Sequence, residues 1–172
     1  MVPPPSCFDV SVAKESLGFS AAHFLTLNGH VCERLHGHNY RLGATVEGPV
    51  DPTTGFVVDF AMVKRSLRAL AEMMDHRVLI PTHNPALTIH ERVESLVVDY
   101  EWPGWLVIPR THACLLPLVQ TTAESLAGFL GQELWKALRE SGETPTGLVV
   151  EVEESLGQSA RYRIDLDPPI SG

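Results

Sequence analysis

The spacing of apolar residues along this chain changes period several times, and each change predicts an element. Val10 and Val12 alternate with polar neighbours, and Phe19, Ala21 and His23 share a parity. Residues 8–25 therefore read as extended, with Gly18 marking a bulge between the halves. His36, His38, Tyr40, Leu42, Ala44 and Val46 then fall on one face of a second strand, opposite Arg41, Thr45 and Glu47. Gly48-Pro49 ends that strand, and Asp51-Pro52-Thr53-Thr54-Gly55 supplies a turn. The period next becomes helical. Val63, Leu67, Leu70 and Met74 form a stripe behind Asp59 as N-cap, while Lys64, Arg65, Arg68 and Glu72 are the wet side. A second helix starts at Thr121 or Thr122, where Thr121-x-x-Glu124 fits a capping box. It buries Leu126, Phe129, Leu130, Leu134 and Leu138 and closes at Ser141-Gly142. Two last strands, inward at Leu148, Val150, Val152 and Glu154 and at Ala160, Tyr162, Ile164 and Leu166, pair as a hairpin through Ser155-Leu156-Gly157-Gln158.

The stretch 81–119 fits neither helix. Residues 93–100 and 105–108 read as strands around a Trp102-Pro103-Gly104 turn, an inserted β-hairpin. The order of elements predicts an α+β fold: an antiparallel four-stranded sheet covered by two helices, as a single domain over residues 1–172. Residues 1–6, with Pro3-Pro4-Pro5, read as a disordered arm, and 167–172 as another loose end.

Composition narrows the partners. The 172 residues are 44% hydrophobic and 20% charged, as in a soluble globular protein, with a net charge of −8. No lysine/arginine cluster offers a footprint for nucleic acid, and no apolar run is long enough to span a bilayer. Three widely spaced cysteines (Cys7, Cys32 and Cys114) make no disulfide framework and suit a reducing cytosol, so a cytoplasmic location is expected.

The candidate chemistry gathers around Cys32-Glu33-Arg34-Leu35-His36-Gly37-His38-Asn39-Tyr40. Strand alternation aims His36 and His38 at one point, and an antiparallel partner could bring His23 beside them. Three histidines with an open position are what a catalytic zinc requires; the alternative for His23 is a core histidine bonded to backbone. Cys32 is either a small buried hydrophobe or a thiol activated by a nearby metal or imidazolium. Asp75-His76 is either a helix-end histidine beside a surface aspartate or a carboxylate fixing an imidazole for proton transfer. Glu154 lies on an apolar strand face, where a lone charge is costly, so it must meet a basic group or a ligand with donors, such as a purine-like or pterin ring. Glu124 is accounted for by the capping box. His83, His90 and His112 fall in or beside the insertion, and His112-x-Cys114 lacks the second pair a metal site would need.

Taken together, Phe19-Ser20-Ala21-Ala22-His23, the stretch from Cys32 to Tyr40, Gly55-Phe56-Val57-Val58-Asp59-Phe60, Asp75-His76, Thr121-Thr122-Ala123-Glu124 and Val150-Glu151-Val152-Glu153-Glu154-Ser155 resemble, in order, the 6-pyruvoyl-tetrahydropterin and 6-carboxytetrahydropterin synthase family. Residues 81–119 stand outside the similarity. The resemblance implies the tunnelling fold and a homohexamer built from trimers, with active sites between neighbours. It implies Zn2+ on His23, His36 and His38, Cys32 as general acid/base with Asp75 and His76 in the relay, and Glu154 anchoring a pterin with help from Thr121 and Thr122. The implied substrate is 7,8-dihydroneopterin triphosphate. The Cys-x-x-x-His spacing matches the 6-carboxytetrahydropterin type, which releases acetaldehyde and feeds 7-deazaguanine and queuosine synthesis. Tetrahydrobiopterin-type members, which form the 6-pyruvoyl product, place the cysteine farther from the histidines. A folate-linked type uses a glutamate at Glu-x-x-His to form 6-hydroxymethyl-7,8-dihydropterin, and Glu33 occupies that place. Alternation turns Glu33 away from Cys32, but dual activity stays open. Met73-Met74 is a mild departure from the family's leucine before Asp-His. A non-catalytic zinc- or pterin-binding protein is the alternative of another class, and a hydrolase using zinc-bound hydroxide a further one. Cys32, Asp75 and His76 together argue against mere binding.

Overall fold

The computed structural model describes residues 7–12, 17–27, 30–100 and 102–165, and for residues 27, 30–33 and 102–104 the backbone alone. The expected arm at 1–6 and the C-terminal end at 167–172 lie outside the described residues. The first extended stretch divides into β1 (Phe8–Val12) and β2 (Gly18–Leu27). Both run along the same edge of the 19-residue β3 (His30–Gly48), β1 against 44–48 and β2 against 30–41. Gly18 sits where a Cβ would come within 2.6 Å of the Tyr40 carbonyl oxygen, so this close crossing excludes a side chain.

After β3, Asp51 Oδ1 accepts from the Thr53 and Thr54 amides, and Gly55 turns at φ 74°. Helix α1 (Phe60–Met74) begins where expected: the Asp59 carboxylate accepts from Ala61 N at 2.8 Å. It leads into β4 (Arg77–Pro81), parallel to β2. Helix α2 (Ala123–Glu140) is capped by Thr122, whose Oγ1 accepts from Ser125 N; this corrects the expected Thr121–Glu124 box, since the helix starts one residue later. The C-terminal hairpin forms as expected.

The middle segment departs most from expectation. It builds β5 (Thr88–Glu91), β6 (Ser95–Tyr100) and β7 (Trp102–Pro109), a separate three-stranded antiparallel sheet rather than a hairpin. Strand β7 starts at Trp102, where a turn was expected. A 3-10 turn at Arg110–His112 then delivers β8 (Ala113–Leu116) into the main sheet, parallel to β4. With β9 (Gly147–Ser155) and β10 (Gln158–Asp165), the main sheet has seven strands in the order β10-β9-β3-β2-β4-β8, with β1 also on β3. The four-stranded count thus grows to seven, two of the pairings being parallel, within the expected α+β class.

The helices cover one face of this sheet over a core that includes Tyr40, Leu42, Val63, Leu67, Leu130 and Val150. The small sheet covers part of the other face, where Phe24 and Ile80 bury against Leu96, Val98 and Ile108. A polar clamp ties its root to β2. Asn84 Nδ2 donates to Thr26 Oγ1 at 2.7 Å, and the Gln120 amide side chain bonds both backbone groups of Thr26.

Candidate active site and metal centre

The apolar stripe of β3 continues past the helices as His38 and His36, and the β2–β3 register sets His23 opposite His36. His23 Nε2 lies 3.2 Å from His36 Nε2, and the ligand atoms of His23, His36 and His38 are all within 4.8 Å of one another. The other side of each ring is held by protein. His23 Nδ1 is 2.9 Å from the Thr121 carbonyl oxygen and His36 Nδ1 is 2.6 Å from that of Arg34. A carbonyl only accepts, so both Nδ1 atoms carry a proton, and in the neutral ring the Nε2 atom then presents a lone pair. His38 Nδ1 lies 3.5 Å from Ser155 Oγ. Two lone pairs 3.2 Å apart repel unless a cation lies between them. Neutral imidazoles oriented by carbonyl groups are a zinc donor set, so the residues fit that ion. Burial holds the His23 pKa below its ordinary value, against the Thr121 carbonyl and Glu154, which raise it. His23 is therefore neutral and ready to donate at pH 7.

Glu154 joins this group. Strand β9 places it beside Tyr40, whose hydroxyl donates to Glu154 Oε1 at 3.2 Å. The same oxygen is 3.5 Å from His23 Nε2 and 3.9 Å from His38 Nε2. Glu154 also lines a cavity of about 380 Å3 with Leu25, Thr122, Glu124 and Gln158. Thr122 is thus at a cavity wall. Thr121 is not: it is fully buried, its carbonyl orients His23 and its hydroxyl donates to the Phe24 carbonyl. Within the single chain Thr121 presents no accessible surface.

Asp75 and His76 form a compact pair. Ser20 N donates to Asp75 Oδ1 at 2.8 Å, and His76 Nδ1 donates to Oδ2 at 2.7 Å, leaving Nε2 for proton exchange. His76 holds φ 55°, and its amide donates to the Ser20 carbonyl. The Ser20 amide, reinforced by His76, holds the Asp75 carboxyl below the usual range. His76 opens on a different cavity, of about 430 Å3, shared with His38, Asn39, Arg77 and His112.

The side chains of Cys32 and Glu33 lie outside the described residues, but their backbone register is informative. Between His23 and Thr26 the β2–β3 pairing shifts twice: His23 faces His36, Leu25 faces Glu33 and Thr26 faces Val31. Simple alternation counted back from His36 therefore does not reach residues 32 and 33, and the expectation that it sets Glu33 aside is withdrawn. Sequence reasoning also missed Tyr40, Arg34, Ser155 and Ser20 as partners of the site. Only Tyr40, in phase with the histidines, carried any signal. Among the described residues His112 and Cys114 belong to no metal-capable cluster.

A family model described as 6-pyruvoyl tetrahydropterin synthase matches residues 12–165. The chain belongs to the 6-pyruvoyl tetrahydropterin synthase family. A putative 6-carboxy-5,6,7,8-tetrahydropterin synthase of Methanocaldococcus jannaschii is 31% identical over 149 residues, covering 86% of this chain and 90% of that protein. Dihydroneopterin monophosphate aldolase of Pyrococcus furiosus is 36% identical over 83 residues, 45% of this chain and 69% of that one. Plasmodium vivax 6-pyruvoyltetrahydropterin synthase shares the fold at TM-score 0.85 and 22% identity, over 94% of this chain and 99% of that one. Two of its solved structures carry a catalytic glutamate changed to alanine or cysteine. The fold is the tunnelling fold of these pterin enzymes, and the family's chemistry is pterin conversion. Among the described residues, no helix is long and apolar enough to cross a membrane.

Proposed function

We propose that this protein is a zinc-dependent lyase of the cytoplasm. It converts 7,8-dihydroneopterin triphosphate and water to 6-carboxy-5,6,7,8-tetrahydropterin, acetaldehyde and triphosphate, a step of 7-deazaguanine and queuosine synthesis. The observation that carries this is the set of three imidazoles whose Nε2 atoms converge while protein groups hold the far side of each ring. The similarity to the Methanocaldococcus jannaschii protein and the Cys-x-x-x-His spacing support the product. Bound at His23, His36 and His38, Zn2+ supplies Lewis acidity toward the side-chain hydroxyls of the pterin. Glu154, at the wall of its cavity, accepts the ring N–H and amino donors pairwise. Cys32 as thiolate and His76, held by Asp75, move protons at the side-chain carbons. Because His76 and Glu154 line separate cavities of one chain, the reading includes active sites shared between copies in a homohexamer of trimers.

Side-chain cleavage to 6-hydroxymethyl-7,8-dihydropterin is the second reading. It is favoured by Glu33, whose backbone pairs with Leu25 at the wall of the Glu154 cavity, and by similarity to the Pyrococcus furiosus aldolase. Incubating zinc-loaded protein with 7,8-dihydroneopterin triphosphate and identifying the pterin and aldehyde separates the two. The 6-carboxy product with acetaldehyde is expected, lost in Cys32→Ala with zinc retained. The 6-hydroxymethyl product, lost in Glu33→Ala instead, would select cleavage, and binding without turnover would reduce the protein to a pterin-binding module.

A further inference from the structure

The cavity on which His76 opens is built partly by the segment that follows the small sheet. Strands β4 and β8 run parallel with Val78 against Ala113, so Arg77 and His112 come to the same end of this pair. Both line the cavity, together with Asn39 of β3, and His38 stands in its wall. His112 is delivered there by the 3-10 turn at Arg110–His112.

The electrostatics of this cavity run against those of the molecule. The chain carries a net charge of −8, yet no aspartate or glutamate is among the described residues that line it. Asp75 precedes His76, but its two oxygens are taken by the Ser20 amide and the His76 ring. Arg41, Arg110, Arg161 and Arg163 each face a carboxylate, whereas Arg77 has no carboxylate partner among the described residues. Its field reaches instead the thiol of Cys114, which burial pushes up and Arg77 draws down. Neutral donors stand beside it. Ser20 Oγ donates to Asn39 Oδ1 at 2.7 Å, which leaves the Nδ2 hydrogens of that amide to donate. The imidazole of His112 offers a ring N–H in either protonation state. A guanidinium fork flanked by N–H donors is what phosphoryl oxygens accept from.

We infer that this cavity is a subsite for a polyphosphate group, with Arg77 carrying the charge and Asn39 and His112 the flanking donors. The inference rests on the proposed function and deepens it, by assigning the phosphate end of the pterin substrate to named residues. His38 joins the two places, since it belongs both to the histidine group and to the wall of this cavity. A pterin side chain held at the histidines thus lays its phosphates on Arg77, beside the ring of His76.

The test titrates inorganic triphosphate calorimetrically into the full-length, zinc-loaded protein at constant ionic strength, with zinc content measured before and after. Wild type is compared with Arg77→Gln, His112→Gln and, as a charge-matched control at an exposed position of α1, Arg68→Gln, each checked for a native circular dichroism spectrum. Binding weaker by about tenfold or more is expected in Arg77→Gln and by about threefold in His112→Gln, with Arg68→Gln like wild type. Arg77→Lys should recover part of the loss. The same pterin without phosphates, 7,8-dihydroneopterin, should bind all of these proteins equally, as followed by its fluorescence. Wild-type triphosphate affinity in Arg77→Gln would overturn the subsite, as would equal losses in Arg77→Gln and Arg68→Gln, or a wild type that binds no triphosphate. Turnover of 7,8-dihydroneopterin triphosphate is assayed separately, and its KM should rise in Arg77→Gln by a factor similar to the loss in binding. Conversion with an unaltered KM in that variant would remove the subsite and keep the proposed function. Triphosphate binding that depends on Arg77, in a protein that does not convert this substrate, would keep the subsite and remove the function.

Discussion

Asp75 takes a donor on each oxygen, the Ser20 amide on one and the His76 ring on the other, and this has a measurable acid signature. Its carboxyl is held below the ordinary range, chiefly by the Ser20 amide. The stabilisation is complete above the unfolded-state value near 3.9 and is lost as pH falls through the lower folded value. Asp75→Asn should therefore lower the melting temperature at neutral pH and flatten the acid limb of a melting-temperature profile. A profile parallel to wild type down to about pH 2 would refute this. On the proposed zinc site, His23→Ala should release stoichiometric zinc on dialysis, read by metal analysis, because it removes the buried member of the three histidines. At this scale the sequence was legible wherever alternation ran unbroken. His36, His38, Tyr40 and Glu154 lie in phase with buried apolar neighbours, and the structure keeps them on that face. Residues 32 and 33 were not legible, because the register shifts opposite Leu25 break the parity that such reasoning counts on.

Helix α2 approaches β10 through two glycines with different tolerances. A Cβ at Gly131 would come within 2.6 Å of the Tyr162 ring, while at Gly128 the ring stays at 3.8 Å. Gly131→Ala is expected to cost about 1–3 kcal/mol in urea unfolding, with part recovered by Tyr162→Leu. Gly128→Ala should be neutral or stabilising by up to about 1 kcal/mol, since ordinary contact meets better helix propensity. Equal effects at the two sites would contradict this packing. Among the elements, α1 and α2 were readable from period and caps, to within the one residue that moves the α2 cap to Thr122. The small sheet was not. Pro103 and Gly104 read as breakers, yet β7 is an edge strand, where a missing amide donor is tolerated. The four residues of β8 form a parallel strand too short to show alternation.

On the scale of the whole molecule, the path β10-β9-β3-β2-β4-β8 ends in two strands that each have an open edge among the described residues. Sedimentation of the full-length protein should give a multiple of the monomer mass, and a monomer at micromolar concentration would remove the shared-site part of the proposed function. The class of the fold was legible from the order of elements; the double covering of the sheet was not, because it depends on where the inserted segment lands. The clamp of Asn84, Thr26 and Gln120 gives that landing a dynamic consequence. Thr26 lies three residues beyond His23, and Gln120 directly precedes the residue whose carbonyl orients it. Local opening of the small sheet should then carry this part of β2 with it as one cooperative unit, with the amides from Phe24 to Thr26 sharing the exchange rate of those in β6. Asn84→Ala should uncouple the two rates in hydrogen exchange. The inserted sheet then becomes a thermodynamic brake on His23, setting how often this candidate metal ligand leaves its place.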